Sequence, residues 1–258
     1  MRNLLIGICV LGIAGYFGSK FYLHDKVSRN LDLVLSAARP IIDVRYEGIG
    51  STLTGELSVD GITARFAGYR DAVQIGSVSI VTPGYFDLLN LASIGNGATG
   101  DFEFPEEFGI AFRGVNVAVD ADYMDAVTQA RRAQLGLQEV STPAADCVSA
   151  YGFSSDLLKR LGYRELLVDA AVGYRQDNQN LVFDLSTRIA DMYDMTFELT
   201  FDGVPSPQSI AMRTYHPRLV GGRLEYVDRS LEERVMKLCT ESEKLPVETV
   251  IAARVDAF

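Results

Sequence analysis

Residues 166–201 read LLVDAAVGYRQDNQNLVFDLSTRIADMYDMTFELTF, and this stretch decides the fold. Leu166, Val168, Ala170, Val172 and Tyr174 fall at every second position, as a half-buried strand requires. Leu181, Phe183, Leu185, Thr187 and Ile189 repeat the pattern, and Met195, Phe197, Leu199 and Phe201 repeat it again. Asp184, Ser186, Arg188, Glu198 and Asp202 are among their polar partners. Successive side chains of a strand point to opposite faces. Three such runs in succession therefore predict an antiparallel meander with one apolar and one wet face. Phe183, Leu185, Phe197, Leu199 and Phe201 are its candidate apolar groove. The plainer role for them is an ordinary core packed under helices.

The same period of two runs upstream. Val44 and Tyr46, then Leu53, Leu57 and Val59, then Ile62, Ala64 and Phe66 alternate with polar residues. Asp60-Gly61 predicts a hairpin turn between Val59 and Ile62, because both positions tolerate positive φ. A strand over Val73–Val81 changes parity near Gly76-Ser77, and one over Ile110–Val119 does so at Gly114, which predicts a bulge in each. Tyr85–Ala92 reads as a short helix, and the acidic start Asp120–Asp125 opens another, from Ala121 to about Leu135. The polar run Gln138–Asp146 marks a candidate sub-boundary. Ser154 or Ser155 can cap a helix bearing Leu157, Leu158 and Leu161, with Gly162 closing it. A last strand carries Leu219, Leu224 and Tyr226. Ser230-Leu231-Glu232-Glu233 has the form of a capping box, and Pro246 opens a final helix. The expected class is α+β: an N-terminal transmembrane helix, then a mainly antiparallel, curved sheet of meander hairpins with several short helices, two of them C-terminal.

Asn3–Leu23 is the membrane-active stretch, and Leu4 to Gly18 contains no charge. Leu4, Leu5, Ile6, Ile8, Val10, Leu11, Ile13 and Phe17 together favour insertion by about 4 kcal/mol. Lys20 lies near the end, where it can snorkel to the headgroups, and Tyr16, Phe17, Phe21 and Tyr22 gather there as an interfacial belt does. A cleaved signal peptide is the rival, with Gly12-Ile13-Ala14 as its one acceptable site, but it leaves a short apolar core. Val27, Leu31, Val34, Leu35 and Ala38 extend the helix as an amphipathic stalk until Pro40. Residues 1–39 are thus expected as anchor and stalk, and 40–258 as an exported domain. Lys20, Lys26 and Arg29 outnumber the charge before the span, which by the positive-inside rule favours a cytoplasmic body. Long domains translocate regardless of charge, and the cysteines favour export, so the body is expected outside the cytoplasm.

The 258 residues carry a net charge of −10, which argues against a nucleic-acid partner and equally disfavours a body lying flat on anionic lipid. His24 and His216 are the only histidines, and no G-x-S-x-G, H-E-x-x-H, C-x-x-C or P-loop spacing occurs. Gly95–Gly100 matches G-x-G-x-x-G, but Phe102, Phe104 and Pro105 follow where a helix would have to begin. Asp120–Asp125 lacks the third carboxylate and the glycine of a calcium loop. No enzyme activity, cofactor or metal is expected. With Cys9 in the span, Cys147 and Cys239 form an even pair in the body, expected as a disulfide if the body is exported. Two buried free thiols are the alternative.

An N-terminal anchor followed by VRYEGIGSTLTGELSVDGITARF (44–66) and VQIGSVSIVTPGYFDLLNLA (73–92) resembles the opening of AsmA/TamB-like bacterial envelope proteins. The resemblance rests on a G-x-L-x-V-x-G-I hairpin, here Gly55, Leu57, Val59, Gly61 and Ile62, and extends over about residues 1–92. It implies a single-pass inner-membrane protein with a periplasmic body. In large members of the family the sheet forms a lipid-carrying groove, and the family implies no catalytic residues. This chain is shorter, with two C-terminal helices, so a groove spanning two membranes is not expected. Its expected partners are the bilayer, through the N-terminal helix, and a lipid or a membrane protein. In the second case it serves as a scaffold or accessory subunit, with Ala14/Gly18 and Gly15/Ser19 permitting close helix approach.

Overall fold

The computed structural model describes residues 2–93, 104–124, 126, 154–204 and 217–255, with backbone alone for 2–17, 93 and 253–255. Its centre is the predicted meander. β6 (Glu165–Asp177), β7 (Asn180–Ile189) and β8 (Tyr193–Asp202) pair antiparallel, Val172 opposite Leu185 and Leu185 opposite Phe197. Asn178 (φ 56°) turns the first hairpin and Asp191 (φ 58°) the second, both being residues that tolerate the left-handed region. The sheet continues on one side to β9 (Arg218–Asp228). On the other it continues through β5 (Glu107–Ala118), β4 (Val73–Val81) and β3 (Glu56–Phe66) to an edge made by β1 (Ile42–Arg45) and β2 (Gly48–Ser51). Every ladder is antiparallel. The α+β class and the curved antiparallel sheet stand.

Asp60-Gly61 is not a hairpin turn. β3 runs unbroken through it, with Gly61 inside the strand at φ +62°. Apolar residues stand three apart here, Val59 and Ile62, and the same spacing recurs at Ile75/Val78 in β4 and Phe112/Val115 in β5. Register aligns all three: Val59, Val78 and Phe112 lie in one row, and Ile62, Ile75 and Val115 in the next. Between the rows runs a seam of Gly61, Gly76 and Gly114. A spacing of three would normally throw the second row onto the wet face. The extra residue in each strand turns it back, as a β-bulge does. β6 has no extra residue, so the register of β5 on β6 shifts between Phe112 and Val115. Asp169 Oδ1 accepts the Gly114 N–H at 2.7 Å. At the other end, a Cβ on Gly61 would lie 2.4 Å from Cδ of Glu47.

Helix α1 (Arg2–Ala38) ends before Pro40 as its sequence requires. Its residues Lys20, His24, Ser28 and Asp32, one stripe at i, i+4 spacing, close the β1/β2 edge. Lys20 Nζ donates to the Ser51 carbonyl at 3.1 Å, and His24 Nε2 lies 2.9 Å from Ser51 Oγ. Tyr46 takes Ser28 at 3.1 Å and donates to Asp32 at 3.1 Å. The neighbouring stripe packs inward: Leu23 joins Leu57 with Tyr85 and Leu88 of α2 (Tyr85–Ser93), and Val27 rests on the same cluster. No helix is long and apolar enough to cross a membrane among the described residues. The side chains of Leu4, Leu5, Ile6, Ile8, Val10, Leu11, Ile13, Tyr16 and Phe17 lie outside them, while Phe21 and Tyr22 are exposed.

A second core fills the other end of the sheet. It joins Val119, Tyr163 and Met192 to α3 (Ser155–Arg160), α4 (Leu231–Lys237), a π-helical turn (Leu238–Ser242) and α5 (Val247–Val255). Ser154 caps α3 as expected, accepting from Leu157 N–H at 3.1 Å, and Gly162 leaves it at φ +86°. The capping box at Ser230 does not form. Ser230 Oγ instead donates to the Asp191 carbonyl, and Asp228 accepts the Glu232 N–H at 3.0 Å. The predicted helix over 121–135 and the sub-boundary at 138–146 lie almost wholly outside the described residues.

Candidate functional site

The register brings Phe183, Leu185, Phe197, Leu199 and Phe201 onto one face of two adjacent strands. Phe183 stands opposite Leu199 and Leu185 opposite Phe197, with Phe201 opposite Leu181. They belong to longer rows. One runs across seven strands through Leu57, Ile80, Ile110, Val172, Leu185, Phe197 and Leu224. It starts beneath α1 and α2, where Leu57 is 8% exposed, and opens outward, with Val172 46% and Leu224 49% exposed. Phe112 widens the exposed band by one row.

A chain of rings crosses the same face. Phe108 and Tyr174 have centroids 6.0 Å apart, Tyr174 and Phe183 6.0 Å, and Phe183 and Phe201 5.8 Å with planes at 89°. Edge-to-face contact of this kind fixes ring orientation while leaving an apolar surface on offer. Tyr174 donates its hydroxyl to the Pro105 carbonyl at 3.1 Å, and burial raises its pKa. Phe108, Ile110 and Phe112 were alternating in the sequence, but their place beside Tyr174, Val172 and Ala170 comes only from the β5–β6 register.

The opposite face is wet. Arg175 pairs with Glu198 at 3.1 Å, Arg188 with Asp194 at 3.7 Å and Arg218 with Asp202 at 2.7 Å, each arginine more exposed than its carboxylate. Such pairs contribute little to stability, about 0–1 kcal/mol each, and serve mainly to keep this face in water. Gly109 and Gly173 leave a depression of about 200 Å³ there, bordered by Asp184 and Arg175. It is smaller than the roughly 300–1,000 Å³ of ordinary ligand pockets.

Among the described residues no three His, Cys, Asp or Glu side chains converge as a metal site. His24 is engaged with Ser51, and burial, then Lys20, lowers its pKa. Asp122 serves neither a calcium site nor a helix dipole alone: it clasps the β3–β4 loop. Its carboxylate accepts from Arg70 N–H at 2.7 Å and Asp71 N–H at 3.2 Å, and Asp71 accepts from Asp122 N–H at 2.9 Å. Cys239 is fully buried and disulfide-bonded. Cys147, Cys9, His216 and the Gly95–Gly100 motif lie outside the described residues. No family model matches the chain, and no curated protein is significantly similar to it in sequence.

Proposed function

We propose that this chain is a non-enzymatic, membrane-anchored protein of the bacterial envelope whose sheet holds a lipid or another apolar ligand. The observation that supports this most is the row from Leu57 to Leu224, which begins buried beside α1 and is exposed at Val172, Leu185 and Leu224. An ordinary core gathers its largest side chains at full burial. Here Phe112, Val172, Leu185 and Leu224 keep more than a third of their surface accessible to solvent. Ionised pairs on the reverse face direct an apolar ligand to this side.

In this reading α1 crosses the inner membrane with the stretch before Lys20, the body stands in the periplasm, and Cys239 pairs with Cys147, a bond that an oxidising compartment permits. The AsmA/TamB-like opening agrees with it, as an envelope family whose sheets handle lipid. The test uses full-length protein purified from membranes in mild detergent. Phospholipid is expected to co-purify with it and to be lost from Phe197→Asp, provided that variant keeps its β-sheet circular dichroism and a cooperative melt. Equal lipid on a folded Phe197→Asp protein would overturn the proposal.

A further inference from the structure

The end of the sheet from which α1 runs on towards its N-terminus carries exposed apolar side chains on three separate segments. Leu53, at the tip of the β2–β3 turn, is 64% exposed, and Phe86, in the first turn of α2, is 80% exposed. Phe21 and Tyr22 of α1 are also exposed. These segments are fixed side by side. Thr82, just before α2, donates both its N–H (2.9 Å) and its hydroxyl (3.0 Å) to the Gly55 carbonyl at the base of the turn. A Cβ on Gly55 (φ +87°) would lie 2.4 Å from the Thr82 carbonyl oxygen, so nothing larger than glycine fits the junction. Lys20 and His24 pin α1 to Ser51 at the start of the same turn, and Leu23 packs on Tyr85 beside Phe86.

Four large apolar side chains on rigid supports are unusual on a protein end that faces only water. We infer that this end is seated in the bilayer interface, with Leu53 and Phe86 inserted beside α1 and Lys20 at headgroup level. The partner is a lipid surface and not a second protein, because α1 leads from the patch straight into the uncharged stretch Gly18 to Leu4. Interfacial segments sink about 5–10 Å to the headgroup–acyl boundary, a depth that single side chains on a tight turn can reach. End-on seating also suits a chain of net charge −10, whose flanks anionic lipid would repel. The inference rests on the membrane-anchored reading above and extends it: the apolar row would then begin at the lipid surface.

The chain contains no tryptophan, so one introduced tryptophan is its sole indole reporter. Leu53→Trp, Phe86→Trp, Ile13→Trp and Ile41→Trp would each be made in the full-length protein, reconstituted into phosphatidylcholine vesicles brominated in the upper acyl chain. Ile41 is 72% exposed but lies past the far end of α1, at least about 27 Å from Lys20 at ~1.5 Å per residue. Leu53→Trp and Phe86→Trp are expected to lose most of their emission to bromine quenching, and Ile41→Trp none. Quenching at Leu53→Trp and Phe86→Trp no greater than at Ile41→Trp would overturn the inference. Ile13→Trp reports the anchor separately: if it is quenched while positions 53 and 86 are not, the span stands and the interfacial seat falls.

Discussion

Asp122 shows how a residue type can mislead until its partners are known. An acidic run at Asp120–Asp125 suits a helix start equally well, and nothing local points fifty residues back to Arg70 and Asp71. The backbone N–H of Arg70, foremost, holds its carboxyl below the usual aspartate range against desolvation, which acts the other way, with help from the Asp71 N–H and the Arg70 charge. The sign follows from linkage. A carboxylate with a depressed folded pKa contributes stability that is fully present above the unfolded value, 3.8, and lost as pH falls through the lowered folded one. The β3–β4 loop is therefore expected to loosen only in strong acid, and Asp122→Asn to remove that acid-side dependence. Amide exchange at Arg70 and Asp71 across pH 2–6 checks it, after correction for the intrinsic exchange rate. Protection that does not change with pH in the parent chain would count against the clasp.

At the scale of elements, the three glycines of the seam carry the main lesson. Gly76 and Gly114 are legible as parity breaks, since β-branched residues on either side show the faces changing. Gly61 is not, because Asp-Gly is also a favoured hairpin turn and only the cross-strand alignment with Ile75 and Val115 distinguishes the two. Gly61→Ala and Gly114→Ala place a Cβ at φ +62°, which costs about 1–2 kcal/mol in strain alone. On Gly61 the added Cβ also meets the exposed Glu47 side chain, which can swing aside. Chemical denaturation should therefore place both variants below the parent chain. A seam without structural weight would leave all three midpoints equal. The capping box at Ser230 failed for a similar reason: Asp191 and Tyr163, distant in sequence, claim its hydroxyl.

For the whole molecule, periodicity gave the antiparallel meander and its apolar face, because alternation is a local property that each strand writes out in full. It did not give the strand order or the covering of that face. Where the helices sit depends on contacts such as Leu23 with Leu57 and Met192 with the C-terminal helices, which no spacing announces. The candidate residues Phe183, Leu185, Phe197, Leu199 and Phe201 did come together, and the rows extended them to Val172, Phe112 and Leu224. What separates a lipid-holding face from a closed core is whether lipid touches it in the membrane. Leu185 and Ser186 are adjacent in β7 and point to opposite faces. Replacing each in turn with a photoreactive phenylalanine analogue and irradiating intact membranes compares the two faces at nearly one position. Lipid adducts at position 185 and none at 186 are predicted; equal adducts at both, or none at either, would contradict the account.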